Sequence, residues 1–252
     1  FVRRTLSVLS HHLKTFFSKT LDALLTIMSP EGVKYIWKRK GSSTLIIVFT
    51  GIGKVRYNYK TSLWHSPNDL LFIADCWADG VSYYWYENKC DHPEQFTQAL
   101  IDRVLRKGNY TSVVTLGSSK GGTAAIYYGL KINADRIMAG ACQYYVGDYL
   151  SRHQYKEHPE QWHAMVGGEP SQDWIDILDR KISDMIEARR GSKTRVFLLY
   201  STQEHTYSEH VKPLIEQLDA CNITHEDQVE QFPEHSMIGG YFREALKKEL
   251  PS

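Results

Sequence analysis

Apolar residues recur along this chain with two alternating periods. Thr44-Leu45-Ile46-Ile47-Val48-Phe49 is a continuous β-branched and apolar run that stops at Thr50-Gly51. Such a run predicts a strand buried on both faces of a parallel sheet. Further strands are expected at 70–74, 112–116, 136–141, 195–200 and 225–232. Between them the spacing changes to helical. Phe96, Leu100, Ile101, Val104 and Leu105 mark a helix over 93–107, and further helices are expected at 121–131, 174–188, 211–218 and 237–250. Repeated βα units predict an α/β fold, a mostly parallel sheet with helices on both faces. The polar, aromatic and helical stretch 148–190 reads as a cap insertion.

Ahead of the first strand, Val2, Leu6, Leu9, Leu13 and Phe16 form a helical stripe that Leu21, Leu24, Leu25 and Met28 continue. Arg3, Arg4, Lys14 and Lys19 face Asp22 alone across it. The reading is a basic amphipathic helix over 2–28, broken by Ser29-Pro30-Glu31-Gly32. It either lies on an anionic membrane surface, docks an assembly partner or packs on the chain's own core. The expected organisation is a helical extension over 1–30 and one catalytic domain over 31–252.

The 252 residues are 42% hydrophobic and 23% charged, which fits a globular chain with a sizeable core. Thirty Lys and Arg balance 29 Asp and Glu, so a globally basic nucleic-acid binder is excluded. Cys76, Cys90, Cys142 and Cys221 show no C-x-x-C spacing, and free thiols of a cytoplasmic protein are expected. No apolar run reaches the roughly 18 residues of a membrane span. The N-terminus lacks the pattern of a signal peptide, and the opening Phe1 suggests a piece of a longer protein.

Gly117-Ser118-Ser119-Lys120-Gly121 matches G-x-S-x-G between a predicted strand and a predicted helix. A nucleophile elbow needs that context: small residues flank a tight turn that lifts Ser119 above the sheet edge, at a helix N-terminus. Lys120 is not a Walker lysine, because only two residues separate it from Gly117. In the α/β-hydrolase order an acid and then a histidine follow the serine. Glu204 stands after the strand at 195–200, with Glu209, Glu226 and Asp227 as alternatives. His235 stands before the last helix. The backbone N–H groups of Lys120 and of Gly51 or Ile52 are the expected oxyanion donors, with Gly51 and Gly53 allowing close approach. The Lys120 side chain opposes the helix dipole, which an anionic substrate would offset. No histidine pair has helical metal spacing, so no metal is expected. His205, His210 and the histidines within 153–163 read as solvated or substrate-facing.

The segment 116–122, the small-residue helix Thr123-Ala124-Ala125 with Tyr128-Gly129-Leu130, Gln143 ahead of Gly147-Asp148-Tyr149-Leu150, Glu204, and His235 ahead of Tyr241-Phe242-Arg243 together resemble a family over about 44–248. It is that of bacterial glycan O-acetyltransferases with α/β-hydrolase fold. These are of the meningococcal serogroup A capsule type and the accessory secretion-system type that acetylates adhesin sugars. Two departures are Glu204, where part of the family uses Asp, and the helix 2–28, which has no counterpart. The resemblance implies a serine O-acetyltransferase with acetyl-CoA as donor and a polysaccharide or glycan as acceptor. It also implies capsule-assembly partners, with a place at the inner face of the membrane. Ser119, His235 and Glu204 would be catalytic, and Lys120, Gln143, Arg152 and Lys156 would bind substrate. The same three residues also suit an esterase, deacetylase or peptidase, and a non-catalytic scaffold is the reading from another class.

Overall fold

The computed structural model describes residues 22–52 and 57–250. Eight strands form one sheet: β1 Ile27–Met28, β2 Lys34–Lys38, β3 Thr44–Phe49, β4 Asp69–Ile73, β5 Ser112–Ser118, β6 Arg136–Gly140, β7 Arg195–Ser201 and β8 His225–Glu230. Their spatial order is β1-β2-β4-β3-β5-β6-β7-β8, antiparallel at β1/β2 and β2/β4 and parallel elsewhere. The described helices are a turn at 22–25, then α1 Lys60–Leu63, α2 His92–Lys107, α3 Lys120–Lys131, α4 Val146–Asp148, α5 Pro159–Val166, α6 Gln172–Ala188, α7 Lys212–Ala220 and α8 Ile238–Glu249. π-helical turns extend α4 and precede α7.

The continuous apolar run of β3 follows from its two covered faces. Leu45, Ile47 and Phe49 enter one core with Leu100, Ile101 and Val104 of α2, Leu178, Ile182 and Ile186 of α6, and Leu214 and Leu218 of α7. Ile46 and Val48 enter the opposite core with Leu63 of α1 and Ile238, Phe242 and Leu246 of α8. The pleat sends successive side chains to opposite faces, so a central strand must be apolar throughout. β8 is the contrary case. His-Glu-Asp-Gln-Val-Glu pairs with β7 alone and presents charge at the sheet edge, which discourages pairing with another chain.

Two expectations change here. The helix read over 2–28 lies outside the described residues up to 21, and its end is not helical, since Ile27–Met28 pairs with β2 in register Ile27↔Tyr35. Leu25 packs on the core of the α8 face. The stretch 148–190 is not all cap. Its C-terminal half is α6, the crossover helix between β6 and β7, packed against α3. Within the rest, Tyr149 and Trp162 are turned into the core, as is Tyr144 just ahead of it.

Candidate active site

β5 ends where Ser119 turns the chain into α3, and Ser119 adopts φ 53° and ψ −131°. That is a conformation costing a non-glycine residue roughly 1–3 kcal/mol. The Ser119 N–H donates to Gly140 O at 2.7 Å, which ties the strained residue to β6. The flanking glycines are required by contact. A methyl group at Gly117 would stand 2.3 Å from Gly121 O, and one at Gly121 would stand 2.6 Å from Phe49 O. Strand and helix approach so closely that no side chain fits between them.

His235 opens the turn ahead of α8, and its Nε2 lies 2.8 Å from Ser119 Oγ. Its Nδ1 lies 2.8 Å from Glu204 Oε1, which also accepts from the Thr206 hydroxyl. The imidazole thus carries its proton on Nδ1 and presents a free lone pair to the serine. Glu204 is nearly completely buried while the His235 ring is 22% exposed. The other oxygen of Glu204, Oε2, has no hydrogen-bond partner among the described residues. Ser201 at the end of β7 fixes the two loops together, its Oγ accepting from Gln203 N at 3.2 Å and Phe232 N at 3.1 Å. Phe232 is buried and stacks on Tyr241 of α8 at 5.0 Å, which sets where His235 emerges.

Two of the alternative acids, Glu226 and Asp227, stand elsewhere. Glu226 is exposed on β8, and Asp227 binds His225 Nδ1 at 3.0 Å and the Tyr200 hydroxyl at 3.2 Å. Gln143 is buried beside the serine. Its Nε2 donates toward Ser119 Oγ at 3.4 Å, and Thr123 Oγ1 holds its backbone N–H and C=O at 2.9 Å each. Of the expected oxyanion donors, the Gly51 N–H is engaged by Asn58 Oδ1 at 3.3 Å. Ile52 is 39% exposed beside it, and Gly53 lies outside the described residues.

Lys120 is a correction. Its side chain, expected to face an anionic substrate, is 0% exposed and turned inward. The ammonium donates to Asp75 Oδ2 at 2.6 Å and Gly80 O at 2.8 Å, so the helix dipole is offset by a buried carboxylate instead of a ligand. Burial draws the ammonium below the usual lysine range, against the attraction of Asp75. His210 is a second correction. It is buried, with Nδ1 accepting from Tyr145 N at 3.3 Å and its ring 5.6 Å from that of Tyr149. Arg152 is 77% exposed and paired with Asp148 at 2.7 Å, and Lys156 is exposed; neither joins the hydrogen-bonded set around Ser119.

Several residues of this network were not singled out from the sequence. Tyr59 shares a hydrogen bond with Ser118 Oγ at 2.5 Å, and burial raises its phenol to about 12. Thr206 and Asp75 are the others. A signal for Asp75 exists, since it directly follows the apolar run Leu70–Ala74 at the carboxyl end of a strand, where open α/β sheets bind and act.

No protein-family model matches the chain. An accessory Sec system protein of Staphylococcus aureus (strain NCTC 8325 / PS 47) is 28% identical over an alignment of 149 residues that covers 56% of this chain. The match spans only 28% of that protein's length. The capsule O-acetyltransferase of Neisseria meningitidis serogroup A, solved in complex with CoA, superposes with a TM-score of 0.73 at 21% identity. That superposition covers 89% of this chain and 94% of the other. The fluorophosphonate-binding serine hydrolase FphF of Staphylococcus aureus superposes at 0.67 with 12% identity, over 90% of this chain and 97% of that one. A capsule acetyltransferase and an accessory secretion protein are the two kinds of protein that the sequence resembles. The strand order, the elbow and these superpositions converge on one conclusion: the chain has the α/β-hydrolase fold, shared with the capsule O-acetyltransferase and with the serine hydrolase FphF.

Proposed function

We propose that this protein is a serine O-acetyltransferase that moves an acetyl group from acetyl-CoA to a hydroxyl of a bacterial surface polysaccharide or glycan. The observation that carries the reading is the continuous relay of Ser119, His235 and Glu204 on a strained elbow, with 2.8 Å at both links. His235 takes the Ser119 proton as Oγ attacks the thioester carbonyl, and Glu204 stabilises the imidazolium so formed. The C–S bond breaks, the thiol leaves with that proton, and the acetyl group remains on Ser119. A sugar hydroxyl then gives its proton to His235 and attacks the acyl-serine. The C–Oγ bond breaks, and Ser119 recovers its proton from His235. The oxyanion of each step would be met by the N–H groups of Lys120 and Ile52, since Gly51 N–H is already engaged.

The residues present fit the reactive end of an acyl thioester: a half-buried serine, a base and the N-terminus of α3. The similarity to a CoA-bound capsule acetyltransferase supports that donor; the likeness to a glycosylation-associated protein complex of Streptococcus agalactiae supports a glycan or glycoprotein acceptor, and the match to an accessory Sec system protein supports an assembly partner. Arg152 and Lys156 would attract anionic acceptors, and Gln143 would orient the acyl group. The N-terminal segment would direct the protein to the inner membrane face from the cytoplasm. Among the described residues no helix is long and apolar enough to cross a membrane. Hydrolysis is the second reading, favoured by the similarity to FphF, and it differs only in whether water or an alcohol reaches the acyl-serine.

The experiment is mass spectrometry of the protein after labelled acetyl-CoA, with and without a panel of capsular oligosaccharides. Acetyl on Ser119 that passes to an oligosaccharide is the expected result, with Ser119→Ala folded and unacetylated. Acetyl lost only to water would favour the hydrolase, and a folded protein unreactive to both acetyl-CoA and a fluorophosphonate would refute both readings.

A further inference from the structure

The turn between β4 and α2 is held in an unfavourable shape. Ala78, Asp79, Tyr83, Tyr84, Asn88 and Lys89 all have φ between 47° and 67°, and none is glycine. Such residues persist only where their surroundings over-determine them. The centre of those surroundings is the ammonium of Lys120, the residue that follows the nucleophile. It holds Asp75 Oδ2 and Gly80 O, and lies 4.8 Å from the ring centroid of Tyr84. Asp75 Oδ1 in turn accepts from Ser82 Oγ at 2.5 Å.

The same turn reaches the site from two sides. The Tyr84 hydroxyl accepts from Thr50 N at 2.8 Å, and Thr50 Oγ1 accepts from Asp75 N at 3.4 Å. Thr50 is two residues before Ile52, and Gly51 between them is fixed by Asn58. On the other side the Tyr83 hydroxyl donates to Gln143 Oε1 at 3.4 Å, whose amide nitrogen faces Ser119 Oγ. One buried cation therefore connects the elbow, the end of β3 and the glutamine beside the nucleophile. A buried ion pair returns little net stability against an apolar pair of similar size, so stability alone is a weak reason for a lysine here.

We propose that Lys120 and Asp75 are positioning residues, whose buried pair ties the elbow to the 75–84 turn and Thr50 and so sets the separation of the Lys120 and Ile52 N–H groups at the acyl oxyanion. This rests on the serine acyl-transfer reading. The lysine acts through the backbone, not through its charge on substrate.

The test measures p-nitrophenyl acetate turnover, fluorophosphonate labelling of Ser119 and thermal melting for Lys120→Met, Lys120→Met/Asp75→Asn and Tyr84→Phe. Misplacing an oxyanion donor falls short of deleting one, so Lys120→Met is expected to lower kcat about 10–100-fold with KM within about threefold. The double variant removes both charges, and is expected to regain most of the lost melting temperature while kcat stays low. Tyr84→Phe keeps the ion pair and frees Thr50 N, and is expected to lower kcat about 3–10-fold at unchanged KM, as a partial displacement of the same donor. It serves as the test even where Lys120→Met does not fold. A double variant that regains kcat together with its melting temperature would overturn the proposal, as would Tyr84→Phe at the wild-type rate. Wild-type protein that never labels at Ser119 would instead remove the acyl-transfer reading beneath it.

Discussion

Glu204→Gln tests the relay with least disturbance, because the side chain keeps its size and loses only its charge. The carboxylate faces His235 Nδ1 at 2.8 Å from an almost fully buried position. Unit charges at that distance attract by about 6 kcal/mol at an effective dielectric of about 20. Both charges are spread over several atoms, and the ring is 22% exposed, so about half that figure is a fair expectation for the imidazolium of the transition state. About 3 kcal/mol corresponds to a loss of roughly 100-fold in rate. The amide can also flip. With its NH2 toward Nδ1 the imidazole would be driven to the other tautomer, unable to accept the Ser119 proton, and the loss would approach about 10⁴-fold. The Thr206 hydroxyl does not prevent the flip, because it can donate to oxygen or accept from nitrogen. The assay is kcat/KM for p-nitrophenyl acetate beside a thermal melt, and the expected window is about 10²–10⁴-fold below wild type with an intact melt. A folded Glu204→Gln within about threefold of wild type would show that the carboxylate does not act on His235.

Gly121→Ala should destabilise the protein by about 1–3 kcal/mol, since its methyl group would stand 2.6 Å from Phe49 O; urea melts with an unchanged midpoint would contradict the packing described. Burial raises the Asp179 carboxyl to about 6, above its ordinary 3.8, against backbone donation that includes Asp148 N–H at 3.0 Å. Between those values the folded state holds a proton that the unfolded state has lost, so stability falls as pH rises from about 4 to about 6. Asp179→Asn should therefore stabilise at pH 7 and change little at pH 4, and melts showing equal gains at both would refute this. Arg152→Ala and Lys156→Ala should weaken use of an anionic oligosaccharide, in a manner that added salt abolishes, and spare p-nitrophenyl acetate; equal losses on both substrates would remove them from recognition.

The central sheet was legible because its strands obey a local rule. β3 and β4 are buried on both faces, so Leu45–Phe49 and Leu70–Ile73 are apolar without a break, the pattern of a central parallel strand. β2 escaped notice because it is antiparallel, with Ile36 alone fully buried among Lys34, Tyr35, Trp37 and Lys38. The helix expected through Met28 failed for a related reason. The leucine stripe is local, but what ends it is pairing of Ile27–Met28 with the edge of β2, six to eight residues further along, and that edge exists only because β4 holds β2 in the sheet. The elbow could be read directly from its motif, since Gly121, four residues on, forces Gly117; what forces Gly121 is Phe49 of β3, which only the sheet brings there. Glu204 and His235 could be placed only by their order after strands, and the choice of Glu204 over Asp227 needed the loops that Ser201 joins to Phe232. Lys120 marks the limit. Its position beside Ser119 is sequence, but the carboxylate that draws its charge inward comes from Asp75, at the end of a strand two places away in the sheet. Propensity and periodicity act over a few residues and determined the elements; the partner of a buried charge depends on which strand ends the tertiary fold brings together.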